Sequence, residues 1–596
     1  MVESPNPGMV PASGSGYNGW PIHAGSIYYY QPDDHYHQLN GRPPHPDRGQ
    51  ETRWEMPVKS IMKPCFAIWL ICGLFGLAGH YLSPVHAMEP TASHAPLPYR
   101  IVSFHQGQAD MELIKLARVA GYNGVQIQTE RGTLEPLEQF AEYNQRTHLV
   151  ENCHQLGMQV SIWIHELNDI PAEFLHKPDA GKLKPGEIVC NYEFAGDQKV
   201  VLNINDSKLW ALLGERYDYI LTKLIPDVDV LILTVTETQI HATNPELFVP
   251  LVRFLDDKCR KYGKRLAVRT FVWHPQDLNN LMTTIQKLPE DVMVMSKCVP
   301  QDWHLRSINA PELGQVGNHG QIEEWDVAGE YFGLNKLVNC MPELLQRQFD
   351  SGMSKGIQGI CVRVDRSNQS VRQHPSEINM WALGLLATGR ATTPDQIWKT
   401  WATNRYGSAA GLALIPALIQ TTEVVQEALY IDSFSFYDPR KRLGPAGEAD
   451  PFQHPANPQF WSDKYRLLHD RLVKGDPAMM VQVESNKLAA IRMASNAVIL
   501  LEGIRPLLKP ADYAQLRNGL LNNQVQIAWR APMHFAYLRH RLLVNTSDTV
   551  KRAELTAAIR KDLEAMRSAV KNADPGVKSD GDQALKWADE MEHLLR

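Results

Sequence analysis

Groups that could do acid–base chemistry are concentrated in one stretch of the chain, residues 292–331. Its first half follows a short apolar run and carries three charged residues: Lys297, Asp302 and Arg306. Its second half is a strand-like run rich in carboxylates: Glu323, Glu324, Asp326 and Glu330. Carboxylates that follow buried strands lie where α/β sheets and barrels build their active sites. Glycoside hydrolysis needs two such carboxyls, one protonated and one ionised.

One more acid, Glu237, ends the most apolar strand-like run, VDVLILTV. Burial near a dry sheet raises the pKa of a carboxyl, as a general acid requires, so we predict that Glu237 is the acid. Asp302 and Glu330, from two later strand ends, are then expected to activate water. The alternative for each of the three is a salt bridge to a nearby Lys or Arg, and this is the favoured interpretation for Glu323 and Asp326.

Strand-like and helical runs alternate from Arg100 to Arg366. The eight predicted strands cover residues 101–104, 124–127, 158–164, 228–235, 265–272, 292–296, 322–327 and 359–364. A helix is predicted over 140–156, and 167–200 is predicted to be irregular. Apolar runs that lack alternation indicate strands covered on both faces, and eight strand–helix repeats match a (β/α)8 TIM barrel. An open doubly wound sheet is the alternative, but no GxGxxG or GxxxxGK[ST] motif follows a strand, so nucleotide binding has no support.

The carboxyl ends of barrel strands meet at one mouth, where side chains from distant parts of the chain converge. Besides the acids, the side chains predicted to bind substrate there are His105, His165, Arg269, Trp273, Lys297, Arg306 and Glu324. Aromatic faces suit sugar rings and charged groups suit hydroxyls, so this lining predicts a carbohydrate pocket. No HxH or HExxH motif supports a metal, and no cofactor is predicted.

Two segments precede the barrel. Residues 1–55 are rich in Pro, Gly, His and Tyr and are predicted to be disordered, or to be an over-extended start ahead of Met56 or Met62. Residues 56–87 combine lysines, an apolar run and a small-x-small end, which is typical of a signal peptide. The protein is therefore expected to be periplasmic or secreted. An uncleaved membrane anchor over 65–82 is the alternative.

Residues 98–390 are predicted to form the barrel and 391–596 an all-helical C-terminal domain, through which two copies could pair as a homodimer. Its Arg530, His534 and Tyr537 could reach substrate, with a structural role as the alternative. A net charge of −6 argues against nucleic-acid binding and leaves small molecules and carbohydrates open. Six cysteines beyond the signal are scattered, which indicates core thiols, or one or two disulfides if the protein is exported.

The run SKCVPQDWHLRS followed by GQIEEWDVAGEYFG resembles the paired motifs of the glycoside hydrolase family 67 α-glucuronidases, IKNGPxDFQVRE and EFQxTQEYxG. RTFVW at 269–273 is similar to that family's RAFVY strand, and 379–407 is similar to its step from barrel to helical domain. The run TETQIHA departs from the family's SEGQPGP-type loop. The family's N-terminal β-rich domain has no counterpart between the signal and the barrel.

The resemblance implies an inverting exo-glycosidase that removes a terminal uronic acid from xylan-type oligosaccharides. Glu237 would be the acid, Asp302 and Glu330 would activate water, and Lys297, Arg306 and Arg269 would be candidates to bind the sugar carboxylate. A related glycosidase with another sugar specificity and a non-catalytic carbohydrate-binding barrel are the alternatives. The expected partner is an acidic oligosaccharide, and the only expected membrane contact is through the export signal.

Overall fold

The computed structural model describes residues 94–178, 183–191, 199–305, 307, 309–334, 336–366, 369–435, 446, 458–573 and 581–596. The predicted disordered start, 1–55, and the predicted signal peptide, 56–87, lie outside these residues. Arg306, which was predicted to bind substrate, also lies outside them.

Eight parallel strands close into a barrel, as the alternation of strands and helices predicts. They are β1 Tyr99–His105, β2 Gly124–Gln128, β3 Gln159–His165, β4 Val230–Thr234, β5 Arg265–Arg269, β6 Met293–Lys297, β7 Gln321–Asp326 and β8 Gly359–Arg363. Each strand pairs with the next in sequence, and β8 pairs with β1, where Ile360 lies opposite Arg100. The doubly wound alternative is thereby excluded.

Helices follow most of the strands. They are α1 Met111–Ala120, α2 Leu134–Thr147, α3 Leu149–Gln155, α4 Ser207–Tyr219, α5 Pro245–Lys261, α6 Pro275–Ile285, α7 Pro342–Ser354 and α8 Glu377–Ala387. Several begin at a side-chain cap; for example, Asn244 accepts from the Glu246 N–H and a proline occupies the first turn of α5.

Two local predictions were wrong. The single helix expected over 140–156 is two helices, α2 and α3, because His148 between them has φ 52° and interrupts the helical backbone. The segment expected to be irregular, 167–200, contains strands of a small antiparallel sheet, Leu175–His176, Glu187–Asn191 and Lys199–Asn203. These strands have too few residues to show an alternation of apolar and polar side chains that differs from the surrounding polar sequence.

The barrel interior changes from apolar to polar along several strands. Side chains such as Ile232, Ala267 and Met295 fill its lower part. The next inward position along these strands is taken by Thr234, Arg269 or Lys297. Since side chains alternate between faces with a period of two, this pattern places polar groups at the carboxyl ends of these three strands.

The C-terminal region is helical, as predicted. Its helices are α9 Pro394–Tyr406, α10 Ser408–Leu418, α11 Thr421–Leu429, α12 Asp463–Lys474, α13 Pro477–Ile504, α14 Pro510–Val544, α15 Thr549–Lys571 and α16 Gly581–Leu594. The stretch Ser408–Leu429 is apolar and long enough to span a membrane by length and composition, and 44% of its most apolar window is buried in the protein. The six cysteines among the described residues are buried thiols without a disulfide, as the core interpretation expects.

Helix α14 fixes the loop between β7 and α7, which carries Glu330. The Asn523 side chain accepts from the Val338 N–H (3.0 Å) and donates to the Val338 C=O (2.7 Å). Asn522 donates to the Lys336 C=O (2.6 Å). The Tyr430 hydroxyl, just beyond α11, donates to the Tyr331 C=O (2.5 Å). The helical region therefore holds one wall of the barrel mouth.

Candidate active site

Charged and polar side chains meet where the carboxyl ends of the strands converge. The residues that end the strands, together with Glu324 two residues before the end of β7, are His105, Gln128, His165, Thr234, Arg269, Lys297, Glu324, Asp326 and Arg363. This is the end of a barrel at which enzymes of this architecture place their active sites.

A fully buried ion pair spans β5 and β7 at this level. Arg269 Nε donates to Glu324 Oε2 at 2.7 Å, and neither side chain is more than 2% exposed. The Arg269 guanidinium also lies 4.4 Å from the centroid of the Trp163 ring and 5.0 Å from that of Phe271. Arg269, predicted to bind a sugar carboxylate, thus has a carboxylate partner within the protein and forms part of the floor of the mouth.

Lys297 is enclosed by aromatic rings. Its ammonium lies 3.9 Å from the ring centroids of both Phe271 and Trp303 and donates to the Gln301 C=O at 2.6 Å. Burial and the neighbouring Arg269 lower the pKa of Lys297 to about 8, although Asp302 and Glu324 act in the opposite direction. Lys297 and Asp302 therefore lie close enough to interact, as the sequence predicts, and Asp302 is half-buried.

Glu330 lies between two arginines after β7. Arg363 Nη1 donates to Glu330 Oε2 at 2.7 Å, and Arg366 Nη2 lies 3.1 Å from Oε1. The carboxylate is 5% exposed. The Arg363 guanidinium in turn lies 4.5 Å from the Trp303 centroid, on the ring that also contacts Lys297. The salt-bridge alternative thus applies to Glu330, and Arg363 connects it to the Lys297 group.

Glu237 lies at the end of β4 in a left-handed backbone conformation, φ 58°. Its Oε1 accepts from Arg131 Nη2 at 3.0 Å, and its side chain is 22% exposed. Strained residues of this kind cluster at functional sites.

The predicted raised pKa of Glu237 is wrong for this arrangement of charges. Burial acts to raise the pKa, but Arg131, Arg269, His165 and Lys297 outweigh it and hold the pKa below the ordinary value. These four groups come from four other strand ends, so the local sequence around Glu237 gives no sign of them.

The two predicted histidines are buried and neutral. Burial and the nearby Arg366 and Arg363 lower the pKa of His105 to about 3, and burial lowers that of His165 to about 4. His105 Nε2 accepts from Arg366, and the backbone N–H of His105 donates to Asp365 Oδ1 at 2.8 Å. A neutral imidazole that accepts from a guanidinium positions that guanidinium, so His105 supports Arg366 beside Glu330.

Two acids have structural positions, although the interpretation favoured for them was a salt bridge to a nearby Lys or Arg. Asp326 accepts from the N–H groups of Ala328, Gly329 and Glu330 and so fixes the turn before Glu330. Glu323 points away from the mouth and contacts Gly352 of α7, and burial raises its pKa to about 8.

Aromatic side chains flank the mouth. Trp273 is half-buried and packs edge-on against Phe271, with centroids 4.9 Å apart. His304 stacks on Tyr331 at 4.6 Å. From the helical region, Arg530, His534 and Tyr537 are at most 1% exposed, which agrees with the structural alternative for all three.

The sequence reasoning missed Arg131, Arg363 and the role of Asp365. Arg363 ends the strand GICVR, and the two-residue alternation of side chains along that strand points it into the barrel. That alternation could have identified it from sequence. Burial raises the pKa of Asp365 to about 7, and the backbone N–H of His105 is its partner. Arg131 lies in a loop, where periodicity carries no information.

The predicted acids Glu237, Asp302 and Glu330 therefore lie with Arg269, Lys297 and Glu324 at one mouth, and Arg306 is outside the described residues. Lys297 interacts electrostatically with Glu237, Asp302, Arg269 and Glu324, and Arg363 joins Glu330 to this group. Among the described residues, no three His, Cys, Asp or Glu side chains are placed to hold a metal ion.

No family model matches the sequence, and no curated protein matches it. Solved structures of similar fold include a family GH138 enzyme targeting pectin rhamnogalacturonan II, with a TM-score of 0.56, 11% identity and 85% of each chain covered. They also include a family GH115 4-O-methyl-α-glucuronidase with specificity for decorated arabinogalactans, with a TM-score of 0.43, 12% identity, and coverage of 83% of this chain and 60% of that one. The first likeness shows the fold alone, and the second is too weak to support an argument.

Proposed function

We propose that the protein is a glycoside hydrolase that removes a terminal uronic acid from an acidic oligosaccharide. One observation carries the proposal: at the mouth of a closed barrel, the carboxylates Glu237, Asp302 and Glu330 surround a set of cations that lie against aromatic rings. The carboxylates supply the groups that glycoside hydrolysis needs. The cations favour an anionic sugar over a neutral one.

The acid–base assignment follows from position and exposure. Glu237 has a partly exposed carboxyl and a strained backbone, which suit a group that must reach the glycosidic oxygen. Asp302 is half-buried beside Lys297, which suits a base that holds water. Glu330 is clamped by Arg363 and Arg366, so we assign it to positioning the water or the sugar beside Asp302.

In this mechanism the glycosidic C–O bond breaks as Glu237 protonates the leaving oxygen. A water molecule attacks the anomeric carbon from the other side and gives its proton to Asp302. The product inverts its configuration, and the two carboxylates then return to their starting protonation through solvent.

Support for the acidic sugar comes from this cation set and from the resemblance of residues 292–331 to the α-glucuronidase motifs. A xylan-type uronoside is therefore the first substrate to test. The GH138 enzyme of similar fold targets a pectin, so uronosides of the pectin type are the second. Export through 56–87 would place the protein where such polysaccharides occur.

The test is a hydrolysis screen of the whole protein. Aldouronic oligosaccharides from glucuronoxylan and oligogalacturonides are compared with neutral xylo-, gluco- and galacto-oligosaccharides, with the released sugars identified by anion-exchange chromatography. Release of uronic acid alone supports the proposal. Release of neutral sugars alone favours the related glycosidase of other specificity, and binding without any hydrolysis favours the non-catalytic barrel.

A further inference from the structure

The loop between β2 and α2, residues 129–133, brings a cation to Glu237 past the intervening strand β3. Thr129 Oγ1 donates to the Trp163 C=O at 3.1 Å, and Thr133 Oγ1 donates to the His165 C=O at 2.8 Å. These two bonds fix the backbone on either side of Arg131. The Arg131 side chain then extends to Glu237, where Nη2 and Oε1 are 3.0 Å apart.

Arg131 differs from the other cations of the mouth in its exposure. Its side chain is 50% exposed, whereas those of Arg269 and Arg363 are 2% and 6% exposed and each donates to a buried glutamate. An incoming anion can therefore reach the Arg131 guanidinium without breaking a buried ion pair. A guanidinium presents its N–H groups in a fork that matches a carboxylate.

Glu237 also needs a proton that its surroundings oppose. The groups that face it are Arg131 from the β2–α2 loop, His165 from β3, Arg269 from β5 and Lys297 from β6, and together they hold its pKa below the ordinary value. A general acid must be protonated before it acts. Removing positive charge from beside Glu237 would raise its pKa and so favour the protonated form.

We infer that Arg131 binds the carboxylate of the uronic acid and leaves Glu237 in doing so, which allows Glu237 to take up the proton that it gives to the leaving oxygen. This inference rests on the proposed function and adds to it a specificity residue and a reason for rejecting neutral sugars. The uronate brings a negative charge to the site and removes the nearest positive one from Glu237. The proton comes from solvent on binding and passes to the glycosidic oxygen as the C–O bond breaks. A neutral sugar leaves the Arg131–Glu237 pair intact and Glu237 ionised.

The first experiment measures selectivity for charge. The probes are aldotriouronic acid and its methyl ester, or digalacturonic acid and its ester where the screen selects that sugar. The wild-type enzyme should prefer the acid. Arg131→Gln should lose roughly 100-fold in kcat/KM on the acid, gain or keep activity on the ester, and so lose most of the preference. Arg131→Lys keeps the positive charge but lacks the forked N–H groups of a guanidinium. Its preference for the acid over the ester should lie between those of the wild type and Arg131→Gln.

The control is Arg372→Gln, which removes a similar half-exposed ion pair, with Asp110 at 2.7 Å. It should leave the preference for the acid unchanged. Thermal unfolding of each variant checks that it is folded. A wild-type enzyme without uronosidase activity refutes the proposed function; a wild-type uronosidase whose preference survives in Arg131→Gln refutes only the role of Arg131.

The second experiment measures the proton directly. Calorimetric titration of Asp302→Asn with the acid, in two buffers of different ionisation enthalpy, should show uptake of close to one proton at neutral pH. The same titration with Asp302→Asn/Glu237→Gln should show none, and so should the methyl ester with Asp302→Asn. Equal proton uptake with and without Glu237 would overturn the inference.

Discussion

Arg363 at the end of β8 and Glu330 beyond β7 form a buried ion pair, with Nη1 and Oε2 2.7 Å apart, that joins the last two strands of the barrel at its mouth. Arg363 also lies against the Trp303 ring, which contacts Lys297 on its own account. The pair thus fixes the wall of the mouth opposite the one from which Glu237 extends.

Removing Arg363 should destabilise the protein and abolish activity. Arg363→Met takes the 2.7 Å ion-pair partner away from the buried Glu330 carboxylate, and breaking a buried pair on one side costs about 3–5 kcal/mol. Urea unfolding measures this loss. The double variant Arg363→Met/Glu330→Met should recover much of the stability but none of the activity. Equal stability of the single variant and the wild type would show that the pair contributes nothing.

Glu323 should make the folded protein less stable as pH rises. Its pKa in the folded protein, about 8, lies above the ordinary value, so the folded chain keeps a proton that the unfolded chain loses, and stability falls as pH rises toward 8. Glu323→Gln removes this effect. The variant should match the wild type near pH 4 and exceed it by on the order of 3–5 kcal/mol near pH 9, as measured by urea unfolding. An advantage that does not change with pH contradicts the assignment.

Lys297 should lose its positive charge at mildly alkaline pH. Its pKa is about 8, so the ammonium deprotonates as pH rises through that value. We expect the KM for a uronoside to rise above about pH 8, because an anionic sugar then meets one positive charge fewer. Lys297→Met should raise KM below about pH 8, where the wild type carries the charge, and should flatten this limb of the profile. A profile in which the variant keeps the wild-type rise in KM would assign the titration to another group.

Helix α14 should support activity from outside the barrel. Asn523→Ala removes both hydrogen bonds to Val338 and leaves buried backbone groups unpaired, at a cost of about 1–3 kcal/mol per group. Because the same loop carries Glu330, kcat on a uronoside should fall at least tenfold. Gln524→Ala is the matched control on the same helix, since Gln524 donates to Ser495 of α13 and not to the loop. Equal effects of the two variants on kcat would show that the bonds from Asn523 of α14 to the loop do not support activity.

The barrel could be predicted from sequence because most of the buried strands are short, largely apolar runs, as in VLILT of β4, followed by polar residues at the mouth. The pairs that charged side chains form at the mouth could not be predicted from sequence. Lys297 and Asp302 lie close in sequence, so their proximity was foreseeable, whereas Arg131 and Glu237 lie 106 positions apart and meet only when the barrel closes. The pKa of Glu237 depends on that meeting, which is why its direction was predicted wrongly. The small sheet at 175–203 was missed because its strands carry too few residues to show a period.

The central claim is that Glu237 and Asp302 act together to hydrolyse a uronoside. Its most direct test follows the release of uronic acid from aldotriouronic acid by proton NMR, with the wild type, Glu237→Gln and Asp302→Asn. We predict that the wild type first releases the anomer of inverted configuration and that each variant is slowed at least 1000-fold while remaining folded. Release at the wild-type rate by either folded variant, or no release by the wild type from any uronoside, would contradict the account.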